Sequence, residues 1–108
     1  MDLEELFDYG VKRLAARAHS TGELRDKLRR KAACRDDVEA VLARLAESAY
    51  LDDAKFAEAF ASARLESRAQ GARRVLRDLR GRRVAPSVAE GTVKRVFAGV
   101  DEEALIED

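Results

Sequence analysis

Two short stretches of this chain are crowded with fixed positive charge. Arg25, Lys27, Arg29 and Arg30 fall within six residues, and Arg73, Arg74, Arg77 and Arg80 within eight. Arg82 and Arg83 extend the second stretch, and Arg64 precedes it. Cations at this density attract phosphates or carboxylates by Coulomb force. Neither stretch interleaves aromatic side chains, so stacking on nucleobases is not their chemistry. Both lack the Asn/Gln/Arg mixture that reads base edges, which makes a helical module acting directly on DNA the second reading, not the first. Other reactive residues are sparse. His19 is the only histidine, and no Ser, Cys or carboxylate constellation surrounds it, so no catalytic centre is expected and the chain is not read as an enzyme. Asp52 and Asp53 are adjacent acids without a His partner, a poor ligand spacing, so neither a metal nor a cofactor is expected. There is no Gly-rich phosphate loop, and ATP hydrolysis by the chain itself is not expected. Cys34 falls in a turn and reads as incidental.

The elements that carry these charges must be helices. Ala, Leu, Arg, Glu and Lys dominate the 108 residues, with one Pro and no Trp. Such a composition predicts an all-α fold. No apolar run approaches the ~18 residues of a membrane span. The start, Met1-Asp2-Leu3-Glu4-Glu5, is acidic and unlike a signal segment, so a cytoplasmic protein is expected. The single Cys cannot form an internal disulfide, which suits a reducing compartment. The net charge of zero conceals alternating blocks. Residues 1–9 sum to −4, 10–35 to +7, 36–63 to −5, 64–83 to +6 and 84–108 to −4.

Apolar spacing predicts six helices. The first spans about Leu3 to Ala18, with Leu3, Leu6, Phe7, Gly10, Val11 and Leu14 on one face. Ser20 and Glu23 form a capping box for a second helix over Thr21 to Ala32, with Leu24 and Leu28 inward. Asp36 and Asp37 cap a third, whose Val38, Val41, Leu42 and Leu45 face the core and which ends near Ala49. Asp52 or Asp53 caps a fourth over about Asp53 to Ser67, and Phe56 and Phe60 stack four residues apart as core. Tyr50 is expected to wedge the junction before it, hydroxyl at the surface, beside Leu51. A fifth helix follows Gly71, with Val75, Leu76 and Leu79 on one side and Arg73, Arg77 and Arg80 on the other. Pro86 and Ser87 mark the start of a sixth, with Ser87 matching the cap of the third; it turns Ala89, Val93, Val96 and Phe97 inward, with Gly99 as its stop. Asp101-Glu102-Glu103 reads as the first turn of a seventh.

A shift of 51 superimposes the halves: Leu24 on Val75, Leu28 on Leu79, Ala33 on Val84, Asp36 on Ser87, Glu39 on Glu90, Leu42 on Val93 and Leu45 on Val96. The chain therefore reads as tandem three-helix repeats in an elongated helical array, with two repeats and the start of a third. The expected boundaries are 1–51, 52–100 and 101–108. Repetition predicts that the two basic stretches lie on related faces of stacked units and form an extended positive surface.

The string Tyr50-Leu51-Asp52-Asp53, Phe56-Ala57, Phe60, Arg64, Gly71, Arg74, Leu79 and Val84 resembles the RecX family, bacterial regulators of the recombinase RecA. Leu14-Ala15, Arg17, His19-Ser20, Glu23-Leu24 and Lys27-Leu28 match in the first repeat, so the resemblance covers nearly the whole chain. Members often have Gly where this chain has Ala32 and Ala49, a change expected only to stiffen a turn. Members usually have three units where this chain has two and a stub. The resemblance implies a monomeric, non-enzymatic regulator in DNA repair, recombination and the SOS response. It would lie in the groove of the RecA filament on single-stranded DNA and inhibit strand exchange and ATP hydrolysis by RecA, with direct DNA contact in some members. The basic residues named above are then the candidate contacts with RecA or DNA, and Tyr50, Leu51, Asp52, Asp53, Phe56 and Phe60 are the structural junction.

Overall fold

The computed structural model describes residues 1–68 and 70–101. Among them are six helices and no strand: α1 (Leu3–Ala16), α2 (Thr21–Lys31), α3 (Arg35–Glu47), α4 (Asp53–Arg68), α5 (Ala72–Gly81) and α6 (Pro86–Val96). They form two compact units, Met1–Asp52 and a second that begins at Asp53. The predicted start of a seventh helix at Asp101–Glu103 lies, beyond Asp101, outside the described residues.

Local chemistry sets most helix ends. The Ser20–Glu23 box is present: Glu23 N–H donates to Ser20 Oγ at 3.1 Å, and Ser20 N–H donates to Glu23 Oε1 at 3.1 Å. Asp2 and Glu5 make the same box at the start of α1. Two expected caps are not where the sequence put them. α3 starts at Arg35 behind Cys34, which makes no side-chain cap bond, so Asp36 and Asp37 fall inside its first turn. There their negative charge suits the helix dipole. α6 starts at Pro86 behind Ala85, and Ser87 is already helical. Proline's fixed φ and missing N–H favour that first position. α1 ends two residues before Ala18 because Arg17 is extended at φ −164°.

Each unit has its own apolar core. The first holds Leu6, Leu24, Leu28, Val38, Val41, Leu42, Leu45 and Leu51, all at most 5% exposed. The second holds Phe56, Ala57, Ala61, Val75, Leu79, Val84, Ala89, Val93 and Phe97. Burial follows the repeat at Leu24/Val75, Leu28/Leu79 and Leu42/Val93. It departs at Ala33, which is exposed where Val84 is buried, and at Val96, half-buried where Leu45 is fully buried. Thr92 is 2% exposed, an inward polar residue that the apolar pattern passed over. Phe56 is buried and stacks on half-buried Phe60 with centroids 6.3 Å apart. Tyr50 is 53% exposed, whereas Leu51 is 5% exposed and belongs to the first core. Leu51 is the buried member of the junction, and Tyr50 exposes more than the hydroxyl expected at the surface.

The repeat also keeps a packing volume. Gly10 lies under Leu45, and a Cβ added there would meet Leu45 Cδ1 at 3.0 Å. The equivalent pair in the second unit is Ala61 and Val96. One carbon has moved from one helix to the other.

α3 and α5 close with the same hydrogen bonds. Ala49 N–H donates to Ala46 O at 3.1 Å and Tyr50 N–H to Leu45 O at 3.0 Å. Arg83 N–H donates to Arg80 O at 3.1 Å and Val84 N–H to Leu79 O at 3.2 Å. This pattern demands a left-handed residue, usually Gly. Here it is Ala49 at φ +60° and Arg83 at φ +64°. Ala49 is therefore strained, and more than a stiffened turn. Ala32, at φ −73°, is not.

Candidate functional site

α5 brings three of the predicted cations together. Arg73, Arg77 and Arg80 are spaced at four and three, so helical rotation puts them on one face. All three are exposed, and with Leu76 they line a hollow of about 350 Å³. A larger hollow of about 610 Å³ lies between α4 and α5, lined by Phe60, Arg64, Arg74, Arg77, Asp78 and Arg82 among others. Asp78 organises it. Arg64 donates to Asp78 at 2.9 Å and to Gln70 Oε1 at 3.2 Å, and its guanidinium lies 4.4 Å from the centroid of Phe60. Arg74 approaches Asp78 at 3.6 Å and Arg77 at 4.0 Å. Arg82 lies over Phe56 and Phe60 at 5.3 and 5.7 Å. Arg64 and Arg82 thus brace the second unit internally, while Arg83 is exposed on its strained turn.

The first unit distributes its cations differently. Arg25 makes a two-pronged pair with Glu39 at 2.8 and 3.0 Å, which holds the Glu39 carboxyl below its usual range. Lys27 turns inward, its Nζ 2.9 Å from His19 Nε2. Arg29 and Arg30 are exposed. The four residues predicted to act together therefore divide into an ion-paired one, an inward one and two at the surface.

His19 is 3% exposed. Its Nδ1 lies 2.9 Å from the carbonyl of Arg17 and its Nε2 faces the Lys27 ammonium. An ammonium only donates and a carbonyl only accepts, so the ring is neutral with its proton on Nδ1. Burial lowers the His19 pKa, with the charges of Arg17 and Lys27 adding to the effect. Burial also lowers the Lys27 pKa, helped by Arg17 and Arg13. Three cations absent from the expected site meet here. Arg13 and Lys31 lie 5.4 and 5.9 Å from the Tyr9 ring centroid, and the charge of Arg17 acts on Lys27. Their sequence signal was the spacing of four between Arg13 and Arg17 and between Lys27 and Lys31. Among the described residues no group of three His, Cys, Asp or Glu side chains is placed to hold a metal. No helix there is long and apolar enough to cross a membrane.

Residues 7–45 match the family model described as RecX, first three-helix domain, and residues 52–92 match RecX, second three-helix domain. Two curated relatives carry the name Regulatory protein RecX. That of Halorhodospira halophila is 40% identical over 87 residues, which cover 81% of this chain and 53% of the relative. That of Chromohalobacter salexigens is 38% identical over 82 residues, covering 76% and 53%. The chain spans about half the length of these relatives. Its fold is similar to the crystal structure of RecX from Lactobacillus salivarius, with a TM-score of 0.83 at 16% identity, over 88% of this chain and 61% of that one.

Proposed function

Since the chain belongs to the RecX family, a family of regulatory proteins and not of enzymes, we propose that it binds the RecA filament on single-stranded DNA and inhibits strand exchange and ATP hydrolysis by RecA. The observation that carries this reading is the α5 face. Three exposed arginines at Arg73, Arg77 and Arg80 line one hollow on α5. Such a face suits acidic groups or phosphates of a filament, and it has no aromatic with which to stack on bare bases.

The test reverses the charge. Arg73→Glu, Arg77→Glu and Arg80→Glu together are expected to abolish inhibition of RecA ATP hydrolysis, with the helical circular dichroism unchanged. Full inhibition by the folded triple variant would remove α5 from the interface. Binding to naked single-stranded DNA is measured in parallel over a salt series. Filament binding well above naked-DNA binding is the expected outcome. Equal and steeply salt-dependent binding to both would favour a module that grips DNA directly.

A further inference from the structure

We propose that Lys27 is a nucleophilic amine and a site of N-acylation, taking the acyl group of an activated donor, an acyl phosphate or an acyl thioester, with His19 as the base that receives its proton. The site lies in the first unit, apart from the arginine face of α5, and does not depend on what that face binds.

A lysine amine attacks only after losing its third proton, and an exposed lysine keeps that proton at neutral pH. Two features of the first unit loosen it. Lys27 is half-buried, and the charges of Arg17, Arg13 and Arg30 act on it against that of Glu23. Burial and like charge both favour the neutral amine. The second feature is a base within reach. Lys27 Nζ lies 2.9 Å from His19 Nε2, inside the distance over which a positioned base takes a proton. His19 is fixed for that task. Its ring is buried and its Nδ1–H donates to the Arg17 carbonyl at 2.9 Å, so the lone pair aimed at the amine is that of Nε2. The other lysines, Lys12, Lys31, Lys55 and Lys94, are exposed, and the chain has no second histidine to serve them. A shift of 51 replaces Lys27 by Asp78 and His19 by Gln70, so the second unit does not repeat this pair.

The step needs no oxidant and no metal. The amine nitrogen attacks the carbonyl carbon of the donor. A C–N bond forms, and the C–O bond to phosphate or the C–S bond of the thioester breaks. Phosphate or thiolate leaves with the electron pair, and the amine proton passes to His19 Nε2 and on to water. The resulting amide removes one positive charge from a crowded group and keeps an N–H directed at His19.

The test incubates the whole chain with acetyl phosphate and, separately, with acetyl-coenzyme A, and follows each lysine by peptide mass spectrometry. At neutral pH Lys27 is expected to be acetylated at least about tenfold faster than Lys12, Lys55 and Lys94 by one donor or both, and the faster donor identifies the source of the acyl group. As pH rises, the Lys27 rate is expected to level off before the rates of the exposed lysines do. His19→Gln is expected to slow Lys27 severalfold and to leave the other lysines unchanged. Lys27 labelled no faster than the exposed lysines by either donor overturns the proposal, and the native chain alone gives that result if the variant does not fold. A folded His19→Gln chain in which Lys27 reacts at the native rate overturns the role of His19 as base.

Discussion

Ala49 sits at φ +60° because Ala49 N–H and Tyr50 N–H both turn back to close α3. A Cβ in that conformation costs about 1–2 kcal/mol, part of which glycine recovers after its own larger unfolded-state entropy is counted. Ala49→Gly is therefore expected to stabilise the chain by about 0.5–1 kcal/mol and to raise its melting temperature by several degrees. Ala32→Gly, at φ −73°, is expected to lower it. A fall for both would mean that the left-handed turn at Ala49 is not strained. His19 gives a second test, in pH. Its pKa is lowered in the folded chain, so the unfolded chain takes up its proton first. Stability from the neutral ring is present above the unfolded pKa of about 6.5 and is lost as pH falls through the lower folded value. Arg17, Lys27 and Glu23 are the charged groups that act on the ring, and the first two oppose its protonation. His19→Gln, which copies Gln70, is expected to flatten the part of the melting curve that drops between pH 7 and 5. An unchanged slope would assign that drop to carboxylates elsewhere.

The helices carry their packing as pairs. Gly10 and Leu45 in the first unit stand where Ala61 and Val96 stand in the second. Gly10→Ala alone is expected to gain little, because its Cβ comes within 3.0 Å of Leu45 Cδ1 and offsets the gain in helix propensity. In a Leu45→Val background the same change is expected to stabilise by about 1 kcal/mol. A double-mutant cycle by chemical denaturation measures this coupling, and additive values would show that the two side chains do not compete. The helices themselves were legible because their apolar faces recur at three and four and because Ser20 and Glu23 announce a cap. The starts of α3 and α6 were less legible, since Cys34 and Ala85 offer no side-chain cap and the nearby acids and Ser87 look better on paper. The α5 face was legible from spacing within one helix. The pairing of Arg64 with Asp78, and the gathering of Arg13, Arg17, Lys27 and Lys31, were not, because both join residues of different helices. Periodicity reports which way a side chain points, and does not report what the next helix brings to meet it.

At the scale of the whole chain, a net charge of zero hides a pair exchanged between the repeats, Glu23 and Lys27 in the first unit against Arg74 and Asp78 in the second. Salt should expose the difference. Lys27 stands among like charges, so Lys27→Gln is expected to stabilise most at low ionic strength and to lose that advantage as salt is added. Asp78 neutralises its neighbours, so Asp78→Asn is expected to destabilise most at low ionic strength and to recover as salt is added. Thermal melts over a salt series check both, and slopes of the same sign would show that the position plays one role in the two units. The same frame thus exists in two forms, with the carboxylate one helical turn earlier in the first unit, at Glu23, than in the second, at Asp78. Duplication followed by an exchange of sign between two positions one turn apart would be enough to convert one into the other. A protein assembled from such modules can keep one core in every copy while giving each copy its own pattern of sign.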